Sequence, residues 1–188
     1  MGKELIFILG GARAGKSDYA QGLAENTGRV LFVATAEALD EEMAQRIAVH
    51  RSQRPADWET LEEPVDVAAS LAPVVQDYDA VLLDCLTLWV SNRMLQTEDT
   101  PHILEEAEKL LQVYDQGRAT WIVVSNEVGL GVVPPTSSGR AFRDALGRVN
   151  QLVASRADRV YMMVAGLALE IKGTDTPHSG PSGRHSTA

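Results

Sequence analysis

The chain has little cysteine, little positive charge and no long apolar run. Cys85 is the one cysteine among 188 residues, so no disulfide can form within the chain and any fold must rest on an ordinary core. Such usage suits a reducing compartment. Basic side chains number 17 against 26 acidic ones, a net charge of −9. That field repels nucleic acid and anionic membrane, and excludes both as general partners. Lys3 and Glu4 precede only the short apolar run Leu5 to Leu9, followed by glycines, a pattern unlike a secretory leader. No stretch reaches the length of a membrane span. The expectation is a cytoplasmic protein without a membrane span. No internal repeat or interior linker is evident.

What is present is a globular composition, 45% apolar and 23% charged, too apolar for a disordered chain. Short apolar runs alternate with helical patterns. Leu5–Leu9, Val30–Ala34, Ala80–Asp84, Thr120–Ser125 and Val160–Val164 read as strands, with Leu167–Ile171 as a short edge. Lys16–Glu25, Ala38 to about Arg51, Val65–Val75, Ile103–Val113 and Arg140–Ala157 read as helices. Pro73 is placed to end the third of these early, and Thr87–Met94 is ambiguous. Strands separated by helices predict an α/β fold with a mostly parallel central sheet. Residues 1–172 form the expected domain. The segment 173–188, rich in Gly, Ser, Thr, Pro and His, is expected to be a disordered polar tail.

The first loop carries the chemistry. Gly10-Gly11-Ala12-Arg13-Ala14-Gly15-Lys16-Ser17 matches the phosphate-loop pattern GxxxxGK[ST], between an apolar strand and a helix. Glycines let the backbone turn tightly and aim N–H groups at phosphate oxygens, and the helix adds the positive end of its dipole. Lys16 can reach the β- and γ-phosphates, and the Ser17 hydroxyl can ligate Mg²⁺. A second carboxylate is needed for the metal, and Asp84, ending the run Ala80-Val81-Leu82-Leu83, is placed for it.

The helix from Ala38 carries a stripe of Leu39, Met43 and Ile47 that runs into His50, with Arg46, Arg51 and Arg54 clustered nearby. Two readings of His50 stand at this level. It is a helix-terminal histidine favoured by the dipole, or a nucleophile toward phosphorus beside arginines that hold a leaving pyrophosphate. Asn126 and Glu127 close the Thr120–Ser125 strand, ahead of a glycine-bearing apolar loop that reads as a lid, a subunit contact or a plain connection. Arg143, Asp144, Arg148, Asn150 and Gln151 decorate the late helix, and most of them read as its solvated face. Two other functions fit the phosphate loop alone: a small-molecule kinase with a structural His50, or a regulatory module that hydrolyses nucleotide.

These segments together resemble the bifunctional adenosylcobinamide kinase/adenosylcobinamide-phosphate guanylyltransferase family. The resemblance rests on Gly10–Arg13 with Lys16-Ser17, Ala34-Thr35, Asp40–Met43 with Arg46-Ile47, and His50 with Arg54-Pro55, Trp58, Thr60 and Glu62. It continues at Asn126-Glu127-Val128-Gly129 with Gly131, Val133 and Pro134, Phe142-Arg143-Asp144 and Gly147–Gln151, and so covers Leu5 to Lys172. The resemblance implies a RecA-like P-loop NTPase fold and a homotrimer. It implies phosphorylation of adenosylcobinamide by ATP or GTP, then transfer of GMP from GTP onto adenosylcobinamide phosphate with release of pyrophosphate. The family's guanylylated histidine maps onto His50. Its nucleotide contacts map onto the loop, Ala34, Thr35, Ala36, Arg51, Ser52, Gln53, Arg54, Glu62 and Asp84. Val49 stands where some members carry a second histidine, and Asp84 where some carry Glu.

Overall fold

A computed structural model describes residues 2–38, 40–52, 54–96 and 99–173. Leu39, Gln53, the Arg46 side chain and the expected tail from 174 onward lie outside the described residues, whereas Gly173 is buried at the domain edge. The described residues form seven strands and six α-helices: β1 Leu5–Gly10, α1 Lys16–Ala24, β2 Val30–Ala34, α2 Glu41–Ser52, β3 Glu59–Glu62, α3 Val67–Leu71, β4 Ala80–Asp84, α4 Leu86–Gln96, α5 Thr100–Gln116, β5 Thr120–Val124, α6 Ser137–Arg156, β6 Arg159–Val164 and β7 Leu167–Lys172. The strands form one sheet in the order β3-β2-β4-β5-β1-β6-β7. β1 to β6 pair in parallel, and β7 returns antiparallel on β6.

The runs of consecutive apolar residues have a simple cause. A parallel sheet covered on both faces buries every residue of its central strands, and β1 is buried at all six positions. Alternate residues serve opposite layers. Leu5, Phe7, Val81, Leu83, Trp121 and Val123 face a core closed by α3, α4, α5 and α6. Ile6, Ile8, Phe32, Leu82, Ile122 and Val124 face a thinner one closed by α1. Each such side chain contributes about 1.5–3 kcal/mol on burial. Among the described residues α2 supplies nothing to either core. Its last turn is tied to the end of the edge strand β3 by the Arg51–Glu62 ion pair.

Local signals set the helix ends. Gly15, at φ 87°, precedes α1, a backbone setting that favours glycine. Thr136 caps α6, its hydroxyl accepting from the Gly139 N–H at 3.1 Å, as N-cap threonines do. The Val65–Val75 pattern resolves into the short α3 and a 3₁₀ turn at Val75–Asp77, with Pro73 in the break between them. The ambiguous Thr87–Met94 segment lies within α4. β3, unforeseen in the sequence, is an exposed edge strand pairing only with β2.

Gly28 tests the backbone of the α1–β2 turn, away from the sheet's carboxyl edge. Its φ is 97°, and a Cβ there would lie 2.5 Å from Asp79 Oδ2, the oxygen that accepts the Arg29 N–H at 2.9 Å. Gly28→Ala is expected to lower stability by about 1–2 kcal/mol in urea denaturation, with nucleotide affinity unchanged.

Candidate active site

The parallel sheet delivers three polar segments to one edge. The loop after β1, the end of β4 and the end of β5 all emerge at the carboxyl ends of adjacent strands, where α/β sheets bind ligands. β5 lies between β1 and β4, so its terminal residues stand between the phosphate loop and Asp84.

The loop is shaped as a cradle. Arg13 takes φ 58° and Gly15 φ 87°, left-handed settings that turn successive N–H groups toward a common concavity. The loop rests on the β6–β7 turn, where the Gly166 N–H donates to Ala14 C=O at 3.2 Å. Lys16 is only 8% exposed, and its Nζ donates to Gly11 C=O at 2.7 Å. Burial lowers the Lys16 pKa, against the opposing attraction of Cys85 and Asp84. The Ser17 hydroxyl donates to Asp84 Oδ2 at 2.7 Å. Burial raises the Asp84 pKa, while the Ser17 bond and the charges of His50, Lys16 and Arg54 work the other way. The Cys85 thiol is pushed up to about 11, chiefly by burial and next by Asp84.

A cavity of about 550 Å³ opens here. From the loop it receives Ala12, Arg13, Lys16 and Ser17, and from the strand ends Ala36, Asp84 and Asn126. Cys85 and Leu88 form its floor, and Met43, Ile47 and His50 present one face of α2 to it. The stripe expected for α2 is thus a cavity wall rather than a core contact.

Other residues of the expected site stand beside this cavity. Ala34 ends β2 and is buried. Thr35 is fully buried, its hydroxyl donating to Cys85 C=O at 2.7 Å and accepting the Cys85 N–H at 2.9 Å. Arg51 forms an ion pair with Glu62 at the end of β3. The Ser52 hydroxyl returns to Val49 C=O at 2.8 Å. Arg54 stacks over the Phe32 ring at 3.9 Å and donates to Thr60 Oγ1 at 3.4 Å. Burial, then repulsion from Arg51, lowers its pKa. Gly10, Gly11, Ala14 and Gly15 shape the loop itself, and Gln53 lies outside the described residues.

Sequence reasoning did not single out Cys85, Thr87 and Leu88 as site residues. Their signal was positional: Cys85 follows directly on Asp84 at the end of β4, and Thr87 and Leu88 lie in the first turn of the helix that comes after it. Asn150, read with the solvated face of α6, is buried beneath the site.

Among the described residues no group of three or more His, Cys, Asp or Glu side chains is gathered around a metal position. Mg²⁺ does not need one. It takes one or two protein oxygens and completes its shell with phosphates and water, and the adjoining Ser17 hydroxyl and Asp84 carboxylate fit that use. Among the described residues no helix is long and apolar enough to cross a membrane.

Comparison with known proteins decides the affiliation. Residues 6–171 match the family described as cobinamide kinase / cobinamide phosphate guanyltransferase. The chain belongs to this family. It is 46% identical over 167 residues to the bifunctional adenosylcobalamin biosynthesis protein CobP of Pseudomonas aeruginosa, covering 88% of this chain and 96% of that one. It is 40% identical over 184 residues to the bifunctional adenosylcobalamin biosynthesis protein CobU of Salmonella typhimurium, covering 89% and 99%. Its fold is similar to that of an ATPase from a bacterial type III secretion system, with a TM-score of 0.59 at 13% identity over 89% of this chain and 56% of that one. The cobinamide kinase / guanyltransferase family member described here is thus built on the P-loop NTPase fold.

The charge at Asp84 has a measurable cost. Its pKa lies above the unfolded value, so folding is favoured when the carboxyl is protonated. That contribution is complete below the unfolded carboxylate range and is lost as pH rises through the raised folded pKa. Without nucleotide or Mg²⁺, Asp84→Asn is expected to melt about 2–4 °C above the parent at pH 7. The gap is expected to close as the pH falls, which calorimetry across a pH series would show.

Proposed function

We propose that this protein phosphorylates the hydroxyl of adenosylcobinamide with ATP or GTP and then transfers GMP from GTP onto adenosylcobinamide phosphate, through a guanylyl-His50 intermediate. The observation that carries this reading is the placing of His50 on the same cavity as Lys16, Ser17 and Asp84, in a chain of this family. An imidazole on the wall of the phosphate-loop cavity can be carried to a bound nucleotide's phosphorus by movement of α2, a position that a purely structural histidine does not require.

In the first step the acceptor hydroxyl oxygen bonds to the γ-phosphorus as its bond to the bridging oxygen breaks. Nucleoside diphosphate leaves, and the hydroxyl proton passes to solvent. Lys16 and the loop N–H groups hold the charge that spreads over the equatorial oxygens. In the second step neutral His50 attacks the α-phosphorus of GTP, and pyrophosphate departs. A phosphate oxygen of adenosylcobinamide phosphate then attacks the same phosphorus, the P–N bond breaks and His50 is restored. Ser17 and Asp84 are the residues to hold Mg²⁺, which supplies charge neutralisation at the phosphates. Ala34, Thr35, Ala36, Arg51, Ser52, Gln53, Arg54 and Glu62 are assigned to nucleotide contact. In this reading α2 approaches the loop when GTP is bound, and the absence of core contacts among its described residues makes such an approach inexpensive.

The same reading carries a cytoplasmic homotrimer, with the folded unit ending near residue 172 and a polar tail beyond it. Its support is a single free cysteine and an exposed apolar row on the outer hairpin: Val164, Leu167, Leu169 and Ile171 are each more than half exposed. Contiguous apolar surface of this kind marks protein contacts.

Intact-protein mass after incubation with GTP and Mg²⁺ tests the intermediate. The wild type is expected to gain one GMP, labile in acid, and His50→Ala to gain none. An adduct that persists in His50→Ala would remove the nucleophile from this position.

A further inference from the structure

Asn126 follows the strand that separates the phosphate loop from Asp84, and it lines the cavity between them. Its main chain is held from three sides. Its N–H donates to Thr87 Oγ1 at 2.7 Å. Its C=O accepts Asn150 Nδ2 at 3.1 Å. The next N–H, of Glu127, donates to Gly10 C=O at 3.1 Å, tying this segment to the start of the loop. The supporting groups are themselves buried: Thr87 is 8% exposed, Asn150 6% and Ser125 0%. Ser125 Oγ donates to Asn150 Oδ1 at 2.7 Å, so the orientation of the Asn150 amide is fixed as well.

Buried polar groups are costly unless each finds a partner. Here the Thr87, Ser125 and Asn150 side chains and the main-chain groups of Gly10, Asn126 and Glu127 satisfy one another around a single residue. What they hold in place is the main chain that carries the Asn126 carboxamide, which among the described residues has no hydrogen-bond partner of its own. It is neutral, and so can stand beside Lys16 and Asp84 without adding to either charge.

We propose that Asn126 is a further catalytic residue for phosphoryl transfer, its Nδ2 donating to an oxygen of the terminal phosphoryl group held by the loop. This rests on the kinase reading given above. Asn126 makes and breaks no covalent bond. The acceptor oxygen joins the γ-phosphorus, the bond to the β,γ-bridging oxygen breaks, and the amide stabilises the oxygen on which charge grows. A neutral donor carried on a fixed main chain acts most strongly where that charge is greatest, in the transition state. The consequence is therefore in kcat rather than in nucleotide KM.

The test uses the full chain with Mg-ATP and cobinamide, in wild type, Asn126→Ala and Asn126→Asp. The aspartate variant keeps the shape and replaces the donor with an anionic oxygen. Removal of the donor in Asn126→Ala is expected to lower kcat on the order of 100-fold, and Asn126→Asp to lower it further. Nucleotide KM and the affinity for a non-hydrolysable ATP analogue are expected to stay within about threefold, with melting temperature unchanged. A kcat for Asn126→Ala within about threefold of wild type overturns the proposal. So does a loss that tracks weakened analogue binding or a lowered melting temperature, since that is a structural role. A wild type that transfers phosphoryl groups to water but not to cobinamide overturns the kinase reading instead. The same comparison of Asn126 variants is then read on nucleotide hydrolysis.

Discussion

Lys16 and Asp84 carry opposite charges at the mouth of a sheet whose interior is apolar, and burial pulls both toward neutrality. Much of the local architecture manages that tension. The Gly11 carbonyl accepts from Lys16, the Ser17 hydroxyl donates to Asp84, and Arg54 and His50 stand where their charge favours the carboxylate. Phosphate and a divalent cation would complete the set: the anion satisfies the ammonium, and the metal satisfies the carboxylate. Destabilisation of the empty site is the counterpart of affinity for its ligand. A site of neutral groups would fold more easily and hold a nucleotide less tightly.

The sheet and α2 divide the site into two mechanical classes. Loop, Asp84 and Asn126 rise from central strands buried on both faces, and their separation is fixed by strand pairing from β1 to β4. His50 rides instead on a helix outside either core. This division suits a two-step chemistry. On the proposed mechanism the kinase step would need only the rigid half, while a histidine that approaches the nucleotide and later withdraws for a bulky acceptor would belong on an element with few packed contacts.

How much of this was readable from the chain depends on whether the determining contacts are local. The phosphate loop was legible because its demands fall on eight contiguous residues and on their backbone conformations. Asp84 was legible once the loop was in hand, since a carboxylate ending an apolar run has few other places to go in a parallel sheet. β3 was not, because an exposed edge strand of sequence Glu-Thr-Leu-Glu owes its conformation to β2 rather than to any apolar pattern of its own. Strand order was equally hidden. Nothing along the chain says that β5 inserts between β1 and β4, and with it the standing of Asn126. Asn150 is the instructive case. Its polarity placed it with solvent, yet Leu146, Val149, Asn150 and Val153 recur at i, i+3, i+4 and i+7, the spacing of a single buried face. Periodicity carried the better information, and residue type pointed the other way.

Cys85 gives the site a chemical selectivity of its own. A thiolate is a stronger nucleophile than an imidazole, and Cys85 lines the same cavity as His50. Only the ionised form attacks, however, and burial, with Asp84 beside it, holds this thiol protonated at neutral pH. On the proposed mechanism, the burial that presses the sulfur into its protonated state would remove a competitor for phosphorus from beside the histidine.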